Sequence, residues 1–69
     1  MAKLYKAVDK HDLRESAFLV LKDGCVITYW SLTERGEIEA AKQRTTEPAS
    51  STHDDFNRRA INPVLIAEW

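Results

Sequence analysis

His53 is followed at once by Asp54 and Asp55, with Arg58 and Arg59 one turn of a helix further on. An imidazole titrates near neutrality and works as a base when a carboxylate orients its second nitrogen, so the run holds parts of a hydrolytic site. The same run also reads as an ordinary helix with acids in its first turn and bases in its last, the order the helix dipole favours. That reading needs no reaction and is preferred. His11 stands far from His53 in the chain, and neither belongs to a His-x-x-x-His or Cys-x-x-Cys pair, so no metal site is expected. Cys25 is the only cysteine, and a thiol becomes a nucleophile only when a neighbouring base deprotonates it. Lys22 is its expected cross-strand neighbour, and a small half-buried strand residue is the simpler account. None of Ser16, Ser31, Ser50 and Ser51 lies in a Gly-x-Ser-x-Gly context, and two glycines, Gly24 and Gly36, cannot build a phosphate-cradling loop. No catalytic residue, cofactor or metal is expected, and the chain reads as a binding protein and not as an enzyme.

Binding could draw on two resources. The first is basic: Arg58 and Arg59, Lys42 and Arg44, and Lys3, Lys6 and Lys10. With the aromatic rings of Tyr5, Tyr29, Trp30 and Trp69 these are ingredients for phosphate contact and base stacking. Acids are interleaved throughout, however, and ten Lys and Arg against eleven Asp and Glu give a net charge of −1, without the positive field of a typical nucleic-acid binder. The second resource is apolar surface. Ala17 to Trp30 contains two runs rich in β-branched and aromatic residues around Asp23-Gly24, the signature of a hairpin with a two-residue type I′ turn. That turn pairs Lys22 with Cys25, Val20 with Ile27 and Phe18 with Tyr29. One face then carries Ala17, Leu19, Leu21, Val26, Thr28 and Trp30, and the other Phe18, Val20, Cys25, Ile27 and Tyr29. A sheet wet on one side alternates apolar and polar residues, and this hairpin does not.

The elements that must position these groups follow from local pattern. Lys3 to Val8 reads as a strand leading into the polar connection Asp9-Lys10-His11-Asp12. Val64 to Trp69, after Pro63, reads as a last strand. Between hairpin and last strand, Glu34 to Arg44 is rich in helix formers, with a hairpin turning at Arg35-Gly36 as the rival. Thr52 to Asn62 forms a second helix, capped by Ser51 or Thr52 and stopped at Asn62-Pro63, with Phe56, Ala60 and Ile61 as its apolar stripe. Thr45 to Ser51 has the composition of an exposed loop. The expected fold is α+β: one domain, residues 1–69, with a small, mainly antiparallel sheet of three or four strands, its central hairpin over residues 16–31, packed by one or two short helices.

A 69-residue domain hides only about 60% of its unfolded surface, and one cysteine cannot form an internal disulfide. If both helices crowd one face of the hairpin, the other needs a second subunit or a partner; if they lie on opposite faces, the sheet closes on itself. The first arrangement is the expectation. It makes the chain a small regulatory or inhibitory protein that binds a protein partner, forms a homodimer, or both. Tyr29, Trp30 and Trp69 are its expected anchors and Arg58 and Arg59 its charged rim. RNA or DNA binding is the alternative, and a small nuclease-like enzyme using His53 or His11 the weaker one. The size suits a phage or mobile-element protein. A lone cysteine and the absence of a leader-like or membrane-spanning run point to the cytoplasm.

Overall fold

A computed structural model describes residues 1–28 and 34–69 of the chain. Four strands form one antiparallel sheet: β1, Lys3–Asp9; β2, Arg14–Leu21; β3, Gly24–Thr28; and β4, Ala60–Glu68. Their spatial order is β3-β2-β1-β4, so the first and second strands are central and the last closes one edge. Two helices, α1 at Glu34–Gln43 and α2 at His53–Arg59, lie in the connection from β3 to β4. The α+β expectation holds, and Glu34–Gln43 is helical, as its run of strong helix formers requires. Tyr29 and Trp30 lie outside the described residues.

The sheet has a core on each side. On one face Leu4, Ala17, Leu19, Leu21 and Val26 pack with Ala41 and Ile38 of α1, joined by Ile66 and Trp69. On the other, Ala7, Phe18 and Cys25 pack with Phe56 of α2, joined by Tyr5, Val20 and Ile27. Phe56 stacks obliquely on Tyr5, centroids 5.1 Å apart, and meets Phe18 edge-on at 5.4 Å. The helices therefore lie on opposite faces, and both apolar faces of the hairpin are packed within the chain as far as its described residues extend. This overturns the expected surplus on a hairpin face. The pattern of two apolar faces was real, but each short helix contributes only one or two large side chains, and one helix per face suffices.

The hairpin turns one residue earlier than Asp23-Gly24. Leu21 pairs with Gly24, Val20 with Cys25, Leu19 with Val26, Phe18 with Ile27 and Ala17 with Thr28, leaving Lys22-Asp23 as the turn. Each residue of β2 thus meets a partner two positions from the expected one. A shift of two keeps every side chain on its expected face, because strand side chains alternate with period two. Gly24 has no positive φ. Its role is close approach: a Cβ there would sit 2.6 Å from the Cβ of Ala49 and 2.8 Å from the carbonyl oxygen of Ser51.

That approach corrects the reading of residues 45–51 as a simple exposed loop. The amide of Cys25 donates to the Ser51 carbonyl at 2.8 Å, and the amides of Ser50 and Ser51 donate to the Cys25 carbonyl at 3.0 and 2.9 Å. The segment forms a bridge on β3 and seals the start of that edge.

Helix α2 also ends earlier than expected, at Arg59, because Ala60 is extended and begins β4. Ile61 consequently leaves the helix stripe and lies on the strand. The start is as Thr52 foretold: its hydroxyl accepts from the Asp55 amide, and the Asp55 carboxylate accepts from the Thr52 amide, a reciprocal capping box. Thr52→Ala should cost about 1 kcal/mol in urea unfolding. The Thr52 amide first, and then the Arg58 guanidinium, hold the Asp55 carboxyl below its ordinary range. A depressed carboxylate pKa stabilises the fold above the unfolded value, and the contribution fades as pH falls through the folded one. Asp55→Asn should lack that part of the acid dependence.

Candidate functional site

The basic residues are met first by carboxylates of this same chain. Arg58 donates to Asp55 at 2.7 Å, Arg44 to Glu47 at 2.8 Å, and Lys3 lies 3.8 Å from Glu68. Arg59 makes a forked contact with Asp9, its Nε 3.3 Å from Oδ1 and its Nη2 on Oδ2. The Asp9 carboxylate is fully buried and also accepts from the His11 amide at 2.9 Å. Arg59 is in this way a structural pin between the end of α2 and the turn after β1, reinforced by the Lys10 amide donating to the Arg59 carbonyl at 2.8 Å.

Lys10, His11, Asp55, Arg58 and Arg59 line one open polar cleft. It gathers the histidine and arginines of the weaker enzyme reading. Two carboxylates already take up the two guanidiniums there, which leaves little positive field for a phosphate. His53 lies elsewhere, its Nε2 2.8 Å from the Leu21 carbonyl, so that nitrogen carries the proton. Cys25 is fully buried, and desolvation pushes its thiol up from the ordinary value, against a reactive thiolate. Among the described residues no group of three His, Cys, Asp or Glu side chains could hold a metal ion. Among the described residues no helix is long and apolar enough to cross a membrane.

Trp69 packs against the core on the α1 side and donates its indole N–H to the Thr45 hydroxyl at 3.1 Å. It ties the chain end to the segment after α1. Of the residues expected to contact a partner, Arg58 is the most open among those described, with a side chain 74% exposed.

Apolar surface is left open somewhere else, along β4. Val64 is 60% exposed, Leu65 47% and Ile61 39%, next to Val8 of β1 at 38%. Val8 pairs with Ile61, and Lys6 with Val64, so these four share one face of the sheet. Lys6 and Val8 have the parity of Leu4, which puts them on the α1 side, at the end of the sheet nearer the β1–β2 turn. There Val8, Ile61, Val64 and Ile66 form a shallow groove whose polar rim is Lys6, Glu15 and Asn62.

The main chain of this edge is a poor template for another strand. Asn62 has φ of 50°, Pro63 lacks an N–H, and the pairing with β1 shifts register between Leu4 and Tyr5 and again between Lys6 and Val8. Bulges and proline are how sheet edges avoid open-ended pairing. The groove therefore offers side chains and not a ladder of hydrogen bonds. Sequence reading missed it because Ala60–Pro63 reads as helix end and stop signal, which hides the alignment of Ile61 with Val8. Compared with known protein families, with characterised proteins and with solved structures, the chain finds no match.

Proposed function

We propose that the protein is a small non-enzymatic binding protein that engages a protein partner through the apolar groove between β1 and β4. The observation that carries this reading is the exposed trio Val8, Ile61 and Val64, gathered on one face of the sheet beside a polar rim. An apolar patch with a polar rim is the ordinary composition of a protein contact site. Nucleic acid is disfavoured by the same geometry, since Arg58, Arg59, Arg44, Lys3 and Lys6 each meet a carboxylate of this chain. A regulatory or inhibitory role by occlusion suits a domain of this size.

A photo-crosslinking residue at position 61, introduced in the living host, should capture a discrete protein; the same residue at position 39, on the exposed side of α1, should not. Affinity of the purified partner should then fall at least about tenfold on Val64→Asp, because a carboxylate would be desolvated in the contact. Circular dichroism of Val64→Asp should match the wild type, as the side chain is mostly in water. A captured second copy of this chain, with a dimer in light scattering that Val64→Asp dissolves, would make the partner the protein itself. Equal affinity of wild type and Val64→Asp would sink the reading. So would tight RNA or DNA binding with a steep salt dependence lost in Arg58→Ala.

A further inference from the structure

The charge around the groove is unbalanced in a way that specifies its occupant. Lys6 Nζ lies 3.4 Å from Glu15 Oε1 and 3.4 Å from Glu37 Oε2, so one ammonium serves two carboxylates. Glu15, on β2, is 67% exposed at the mouth of the groove, whereas the Glu37 side chain, reaching in from α1, is 3% exposed. Buried carboxylates ordinarily have their oxygens hydrogen-bonded, yet Glu37 Oε2 has no hydrogen-bond partner. The Lys6 ammonium, 3.4 Å away, is the charge it faces. Glu37 holds the Lys6 ammonium above its ordinary pKa, with Glu15 adding a smaller push in the same direction. Two carboxylates thus share one ammonium at equal distance, and Glu15 is the one of the two that is exposed at the groove. Arg14, the basic neighbour of Glu15 on β2, pairs with Asp9 and has the parity of the opposite face. The floor beside these groups is apolar, which makes a charge at the rim less screened than one on open surface.

Resting on the groove as the contact site, we propose that it selects a partner segment that carries a cationic side chain, Arg or Lys, between apolar ones. The cation meets Glu15 beside the Lys6–Glu37 pair, and the flanking apolar groups cover Val8, Ile61 and Val64. An arginine suits this arrangement best, since its planar fork can engage a carboxylate with two donors while its stem lies on apolar surface. An acidic segment would bring a third carboxylate to a site with one ammonium.

The test is a nuclear magnetic resonance titration of the full chain with three short blocked peptides, alternating Leu with Arg, with Gln or with Glu. The Arg peptide should move the amides of Val8, Glu15, Ile61 and Val64, and bind about three- to tenfold more tightly than the Gln peptide. The Glu peptide should bind most weakly. Glu15→Gln, at an exposed site where the fold does not depend on it, should erase the preference for Arg while leaving the Gln peptide unchanged. Salt at about 0.5 M should shrink the preference as well. Equal binding of the Arg and Gln peptides, or a preference that survives Glu15→Gln, would overturn the charge selection while leaving the groove as a contact site. Shifts confined to the polar cleft of Lys10 and Arg58, with none in the groove for any peptide, would overturn both.

Discussion

Arg59→Ala should remove about 3–5 kcal/mol of folding stability, the largest loss expected from any exchange of a charged residue among those described. Domains gain roughly 0.05–0.15 kcal/mol per residue on folding, so for a chain of 69 residues this loss is from about a third to all of the total. The reason lies in Asp9, whose carboxylate is fully buried on the α2 side of the sheet. Removing the guanidinium takes the forked, charge-assisted contact away from an anion already out of water, and that loss carries the cost. Arg59→Met combined with Asp9→Asn should recover most of the loss, because it deletes both charges and keeps most of the volume. The pair should therefore show a strongly non-additive cycle in urea unfolding. A loss below about 1 kcal/mol for Arg59→Ala would mean that water reaches Asp9 and that the pin is a surface ion pair. Arg58→Ala serves as the contrast: its guanidinium is 74% exposed and bonded within the same helix, and should cost a few tenths of a kcal/mol.

The two adjacent arginines also show where sequence reading ends. Both were legible as the basic last turn of a helix, and both occupy that position. Nothing local distinguishes them. Arg59 becomes structural only because β1 and β4 lie side by side, which brings Asp9 opposite Ala60 and so beside Arg59, fifty residues away in the chain. The hairpin faces were legible for the opposite reason: alternation along a strand is a local property, and it survived an error of two residues in the pairing. The helix over Glu34–Gln43 and the Thr52 cap were legible because propensity and capping act within a few residues. What could not be read was the distribution of helices between the faces, and with it which apolar side chains would be left over. Phe18, Leu19 and Val26 went inside, whereas Val64, which looks identical in sequence to a core strand residue, stayed 60% exposed at the edge. The groove is thus a product of topology: β4 is an edge strand whose α1 side is covered near Ile66 and open near Ile61 and Val64.

Topology and charge meet at Lys6. It contacts two carboxylates from two different elements, Glu15 of β2 and Glu37 of α1. Its ammonium therefore helps hold α1 onto the sheet at the place where the apolar cover of that helix gives out. A partner cation arriving at Glu15 would release Lys6 to Glu37 alone, so occupation of the groove and seating of α1 should reinforce each other.

Gly24→Ala should lower stability by about 1–3 kcal/mol, the second large effect, and the identity of the replacement tells why. If Gly24 were needed for a left-handed turn, Asn would be the best substitute, since it adopts positive φ more readily than other residues. The glycine has no positive φ, and what it lacks is space: an added Cβ would stand 2.6 Å from the Ala49 Cβ and 2.8 Å from the Ser51 carbonyl oxygen. Those are atoms of a segment fixed by its bonds to Cys25, not the tips of flexible side chains, so something in the backbone must move. Gly24→Asn should consequently be at least as damaging as Gly24→Ala. Hydrogen exchange should report the loss locally, with protection falling first at the amides of Cys25, Ser50 and Ser51 while those of β1 keep theirs. Ala49→Gly placed on top of Gly24→Ala should restore part of the stability by removing one of the two clashing atoms, although alone it should be neutral or mildly destabilising. Wild-type stability in Gly24→Asn would return the residue to the turn and leave the sealing of the β3 edge without its steric reason.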